Sequence, residues 1–210
     1  MPTINYQKEM ENMIQGFKTK PRLLLHVCCA PCSSAVLERL HPYFDVTVYF
    51  DNPNMDTEEE FTRRAKEEQR FVEETGLAKS VVVVPYAPER FLKAVRGLEN
   101  EKEGGARCAV CFRLRLYDAA RYAKDNGFDF LTTTLSISPL KNAALLNRIG
   151  EEAAEQTGAR FLPSDFKKKE GYKRSIELSK EHDLYRQDYC GCVFSRRERE
   201  NQRAQQGSAT

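Results

Sequence analysis

Apolar positions along this chain come in two spacings. Short apolar-rich runs at residues 23–27, 46–50, 80–84 and 128–133 are strand-sized and dominated by Leu, Val, Phe and Thr, as strands of a covered sheet are. Between them apolar residues recur at three and four positions, which predicts helices over 33–40, from Asp56 or Thr57 to Thr75, from Pro88 to Arg96, and over 108–126, 142–157 and 171–182. Ser33 or Ser34 is expected to cap the first of these and Gly76 to close the second. The Val run at 81–84 is expected to be buried on both faces, and residues 160–162 are a candidate fifth strand. Ile4, Met10, Met13, Ile14 and Phe17 share one face of an amphipathic preface over residues 1–20. Residues 184–195 have no clear period, and 196–210 read as a polar tail, partly helical or frayed. Strands alternating with helices predict an α/β fold. The expected form is a Rossmann-like, mostly parallel sheet with helices on both faces, in one domain over residues 21–195.

Composition narrows the setting. The 210 residues are 40% apolar, enough for one well-formed core. No apolar run approaches the roughly 20 residues of a membrane helix, and the first 20 residues lack the apolar stretch of a secretory signal. A cytoplasmic protein with no membrane partner is therefore expected. In that compartment seven cysteines point to metal binding or redox chemistry, not to a disulfide framework. The net charge is only +2, so the chain as a whole is no polyanion binder. Basic residues do cluster locally, at Lys167, Lys168, Lys169, Lys173 and Arg174 and again at Arg196, Arg197 and Arg199, with Tyr172, Tyr185, Arg186 and Tyr189 between the runs. Such runs are commonly solvated faces, but interleaved with aromatics they suit a phosphate-bearing partner.

The cysteines fall into three groups: C-C-x-x-C at 28–32, C-x-x-C at 108–111 and C-x-C at 190–192. The first follows the first strand directly, where side chains project into the ligand crevice of an α/β sheet. A redox dithiol would use Cys29 and Cys32 and leave the other five thiols without a role. Structural zinc takes four ligands, usually from two short knuckles. Adjacent cysteines and C-x-C suit iron–sulfur ligation at least as well, and seven thiols divide into four and three. His26 reads as a packed, hydrogen-bonded core histidine, with a hydrogen bond toward a metal-bound thiolate as the other reading. The Asp51-Asn52-Pro53-Asn54 turn should border the same crevice. Arg107, Arg113 and Arg115 read as solvent-facing, with a phosphate contact as the other reading of Arg107. No P-loop and no G-x-G-x-x-G follows the first strand, which argues against ATP- or NAD-dependent chemistry.

Five segments together, LLLHVCCAPC (23–32), NPN (52–54), RCAVCFRLRL (107–116), TTTLSISPLKN (132–142) and LYRQDYCGCVFS (184–195), resemble the QueH-type epoxyqueuosine reductases in the family's order. The resemblance implies a Rossmann-like fold of HUP type and a cobalamin-independent oxidoreductase of queuosine biosynthesis. Such an enzyme acts on tRNA, removing the epoxide oxygen of epoxyqueuosine at the wobble position and leaving a cyclopentene. It implies that Cys28, Cys29, Cys108 and Cys111 hold a [4Fe–4S] cluster, and that Cys32, Cys190 and Cys192, as catalytic thiols, hold a second metal ion, an iron. Candidate substrate contacts are Asn52, Asn54, Arg107, Lys141, Tyr185 and Arg186; the candidate tRNA surface is Lys167, Lys168, Lys169, Lys173 and Arg174. The expected partners are tRNA carrying epoxyqueuosine and an electron donor. Asp51 departs from the family, which more often has an aromatic residue there, and this bears on the local substrate contact. A reading of another class is a zinc-stabilised RNA-binding module without redox activity. A sulfur-transfer enzyme of the same fold class would need the ATP loop that is missing.

Overall fold

The computed structural model describes residues 4–207; residues 1–3 of the preface and 208–210 of the tail lie outside it. Four strands, β1 (Arg22–His26), β2 (Asp45–Phe50), β3 (Ser80–Val83) and β4 (Phe130–Thr133), form one parallel sheet in the order β3-β2-β1-β4. Around it lie α1 (Tyr6–Gln15), α2 (Ala30–Leu40), α3 (Glu58–Thr75), α4 (Pro88–Ala94), α5 (Ala106–Asp125), α6 (Ala143–Thr157), α7 (Gly171–Glu181) and α8 (Val193–Gly207). Alternation along β1 builds the layers. Leu23 and Leu25 point to one face, into a core shared with Met10 and Ile14 of α1, Val36 and Leu37 of α2 and Leu178 of α7. Leu24 points to the other face, among Ala119, Ala120 and Ala123 of α5 and Ala153 and Ala154 of α6. This is the α/β, Rossmann-like arrangement expected. Among the described residues no helix is long and apolar enough to cross a membrane.

Four local expectations are corrected. The helix after the first thiols starts at Ala30 with Cys29 at its N-cap, because Pro31 fits the first turn, where its missing N–H costs nothing. Ser33 and Ser34 therefore lie inside α2, the Ser34 hydroxyl donating back to Pro31 O at 3.2 Å and the Ser33 hydroxyl to Glu68 Oε2 at 2.8 Å. Strand β3 is an edge strand with its valines only half-buried, since no further strand covers its outer side. The fifth strand shrinks to a single parallel bridge between Leu131 and Phe161; Pro163, two residues on, has no N–H to extend the ladder. Ile4 is exposed instead of sharing the buried face of α1. Elsewhere the local signals act as read: Thr57 accepts from Glu60 N at 3.2 Å, and Gly76, at φ 65°, ends α3 in the left-handed region.

Candidate active site

The sheet order changes direction between β1 and β4, so the crevice at their carboxyl ends is the switch point of the fold. Cys28, Cys29 and Cys32 lie there, in the β1–α2 turn. Their sulfurs are within 4.8 Å of one another, with 3.8 Å between Cys28 and Cys29. Cys108 and Cys111 sit one turn apart at the start of α5, the Cys108 sulfur accepting from Gly104 N at 3.2 Å. Cys190 and Cys192 flank Gly191 just ahead of α8. Gly191 has φ +117°, and its carbonyl accepts from Asp56 N at 3.0 Å. All seven cysteines are free thiols.

The three groups border common cores. Cys108 and Cys32 each pack against the apolar cluster that holds Cys28, Cys29 and Phe112, and Cys111 and Cys192 belong to a second one with Phe91 and Phe194. Two cavities adjoin them. The smaller, about 80 Å³, is walled by Cys108, Cys111, Cys190 and Cys192 together with Asn54 and Arg107. The larger, about 520 Å³, is bounded by Cys28 and Cys32 together with Tyr172, Arg186 and Tyr189. Glu103, Leu140, Lys141 and Cys190 border both and form the partition between them.

Buried charge surrounds the thiols. Arg115 is fully buried, its Nε donating to His26 Nε2 at 3.2 Å and its Nη2 to Asn52 Oδ1 at 2.5 Å. Since His26 Nε2 accepts, its proton sits on Nδ1, 2.9 Å from Thr133 Oγ1. Burial, then Arg115, pushes His26 down to about 3, so it is the neutral, hydrogen-bonded core histidine anticipated. Arg64 of α3 is 1% exposed, with Nε on Glu60 at 2.6 Å and Nη1 on Cys190 O at 3.4 Å. Cys28 is held well below the ordinary thiol value by hydrogen bonds from Cys29 and Cys32, with Arg115 and Lys141 adding to them against burial. Cys29, hydrogen-bonded to Cys28, is pushed up to about 12. Burial pushes Cys111 up to about 12 as well, and raises Cys108 and Cys192. A metal ion entering here displaces those protons.

Other anticipated residues are placed unevenly. Asn54 lines the smaller cavity with a buried Oδ1 that has no hydrogen-bond partner. Arg107 lines it too, but its guanidinium ties down the preceding loop through Glu99 O at 2.9 Å and Glu101 O, and reaches Glu198 at 3.2 Å. Asn52 lines neither cavity: its amide donates to Val27 O at 2.9 Å and braces the β1 end. Tyr185 also lies off both, hydrogen-bonded to Glu60 at 3.2 Å beneath the Arg63 guanidinium. Asp51 turns away from the thiols toward Arg90 at 3.6 Å, and burial pushes it up to about 6. Arg186 lines the larger cavity and donates to Ser179 Oγ at 3.1 Å. In the basic run, Lys167 pairs with Asp165 (2.8 Å), Lys169 with Glu11 (2.5 Å), Lys173 with Glu170 (3.1 Å) and Arg174 with Glu38 (2.8 Å). Only the Lys168 ammonium among these has no such partner in the described residues.

The family described as Epoxyqueuosine reductase QueH matches residues 23–198. The chain belongs to this family. Relatives named Epoxyqueuosine reductase QueH include that of Streptococcus pyogenes serotype M1, 44% identical over 91% of this chain and 78% of the relative. That of Staphylococcus aureus is 42% identical over 91% and 84%, and that of Thermotoga maritima 34% over 87% and 94%. The QueH match takes in all seven cysteines and leaves α1 outside.

Several charges at this site were not anticipated. Arg115 was expected to face solvent, yet it lies one helical turn beyond Cys111 on the same face of α5, a spacing that marks it in retrospect. Arg113, two residues earlier, does point outward, to Glu152 at 2.6 Å. Arg64 and Glu68 lie on the buried face of α3 that Phe61, Ala65, Phe71 and Val72 mark at three- and four-residue spacing, which is the local signal that could have found them.

Proposed function

We propose that this chain reduces epoxyqueuosine at the wobble position of tRNA to queuosine, in the cytoplasm and without cobalamin. Both epoxide C–O bonds break, a C=C bond forms, and the oxygen leaves as water after uptake of two electrons and two protons. The observation that carries the reading is the thiol group of Cys28, Cys29 and Cys32, packed within 4.8 Å, with Cys28 and Cys32 on the wall of a cavity of about 520 Å³. That volume falls in the range of small-ligand sites.

The donor set suits the implied metals: Cys28, Cys29 and Cys32 form a compact group with no carboxylate in it, the other four thiols are free and line the adjoining cavity, and thiolates select iron–sulfur clusters and other soft metals. Cys28, Cys29, Cys108 and Cys111 would hold the [4Fe–4S] cluster, and Cys32, Cys190 and Cys192 the second iron. Bound iron supplies one-electron transfer and an electrophilic position for oxygen. The protein's own residues do the rest. Arg64 and Arg115 offset the thiolate charge from behind. The Lys141 ammonium stands at the partition; burial opposes its charge, but Cys190, Cys28, Cys32 and Glu103 more than compensate and hold its proton on Nζ. Arg186 and Tyr189 shape the mouth of the larger cavity, and the tRNA backbone passes over the start of α7, near Lys168, with the paired Lys167, Lys169, Lys173 and Arg174 around it. The electrons come from an electron donor outside the chain.

The test is anaerobic reconstitution with iron and sulfide, a chemical reductant, and nucleoside analysis of tRNA isolated from cells that accumulate epoxyqueuosine. Queuosine should appear at the expense of epoxyqueuosine. A colourless zinc-loaded protein that binds tRNA but converts nothing would establish the RNA-binding module instead.

A further inference from the structure

Glu103 stands on the partition between the two cavities, beside Lys141 and Cys190. Its backbone N–H donates to Glu198 Oε2 at 3.3 Å, but its carboxylate has no hydrogen bond or ion pair in the described residues. Among the described residues the one other acid on either wall, Asp188, is engaged by Arg199 at 3.6 Å and by Arg203. The remaining charged side chains on the walls, Arg107, Lys141, Arg186 and Arg199, are cationic. Glu103 is also held in place. Arg107 fastens its loop at Glu99 O and Glu101 O, and Gly104, at φ +88°, turns the chain directly after it. Glu103 is half-buried, with Lys141 as its electrostatic neighbour and no hydrogen bond of its own, so its carboxylate is open to a cation that a ligand brings to the partition.

The proposed substrate supplies one, and the inference rests on that reading. In epoxyqueuosine the carbocycle is joined to the nucleobase side chain through a secondary amine, attached to the carbon next to the epoxide. Ordinary dialkylamines are protonated at neutral pH. An epoxide brought to the thiol group therefore carries an ammonium a few bonds away, at the partition. We propose that the Glu103 carboxylate binds this ammonium and so selects the modified wobble base and registers its epoxide against the thiols. Lys141, on the same partition, is unsuited to that role by its charge and is left facing the thiolates. Guanosine at the wobble position has no such cation and gains nothing from Glu103.

The experiment compares binding of the anaerobically reconstituted full chain to tRNA carrying epoxyqueuosine and to the same tRNA carrying guanosine at that position. A charge-assisted hydrogen bond predicts that Glu103→Gln loses preference for the modified tRNA by about tenfold or more, with guanosine-tRNA affinity and iron content unchanged. Glu103→Asp should recover part of the preference. An unaltered preference in Glu103→Gln overturns the assignment, as does loss of iron, which would place Glu103 in the support of the metal site. A parent protein that neither prefers nor converts the modified tRNA overturns the reductase reading, and this inference with it.

Discussion

Glu68 is a fully buried carboxyl whose Oε2 accepts from Ser33 Oγ at 2.8 Å while Oε1 finds no partner. Burial pushes it up to about 8, against the opposing hydrogen bond from Ser33. The folded state thus keeps a proton that the unfolded chain has already released above the ordinary carboxylate value. Its contribution to stability is complete at acid pH, falls by about 1.4 kcal/mol per pH unit toward pH 8, and is flat beyond. Glu68→Gln replaces the neutral acid with a group of the same shape and removes this slope. Urea unfolding should find the variant close to the parent at pH 5 and more stable than the parent at pH 8.5. A variant weaker than the parent at pH 8.5 would mean that the carboxylate is ionised and paired.

At the scale of elements, the thiols are positioned by three chain segments with different constraints. Strand β1 and the Pro31 start of α2 fix the first group, and the first turn of α5 fixes the second. The third depends on one glycine. Gly191 adopts φ +117°, which side chains rarely tolerate, and a Cβ there would lie 3.2 Å from Arg64 Nη1. Gly191→Ala should rotate Cys190 away from the partition and Cys192 away from the smaller cavity at a stability cost of about 1–3 kcal/mol. Far-UV circular dichroism should stay near that of the parent, and turnover and part of the bound iron should be lost. Full iron and full turnover in this variant would show that Cys190 and Cys192 take no part in the site.

For the whole molecule, a net charge of +2 leaves tRNA affinity to local positive charge. Lys167, Lys169, Lys173 and Arg174 each face a carboxylate, whereas Lys168 and Arg186 do not. Each phosphate contact on RNA adds roughly 0.7–0.9 to the slope of log affinity against log salt. The double variant Lys168→Ala/Arg186→Ala should therefore flatten that slope by about 1.5. Lys169→Ala/Lys173→Ala should change it less, because those two lysines are already neutralised by Glu11 and Glu170. Equal effects of the two pairs, measured by tRNA binding across salt concentrations, would extend the footprint over the whole run.

Much of the architecture is encoded in neighbouring residues. The two-residue alternation of Leu23, Leu24 and Leu25 decides which side each covers, and helical spacing places α3, α5 and α6. Thr57 and Gly76 end α3 through their own hydroxyl and backbone freedom. Even the existence of a thiol site follows from spacing, because a strand ending in C-C-x-x-C delivers three sulfurs to one crevice whatever surrounds it. Other features depend on residues far apart in the chain. Arg115 is buried because His26, 89 positions earlier, and Asn52 accept its protons, and Glu68 is buried against Ser33, 35 positions away. The Val run of β3 is half-exposed because of the strand order, which no window of sequence contains. Asn52 and Tyr185 turn from the cavities for the same reason: their partners at Val27 and Glu60 come from other elements. Local sequence specifies backbone periodicity and which chemical groups are present. Whether a charge is solvated, paired or left facing a cavity is decided only when distant segments pack around it.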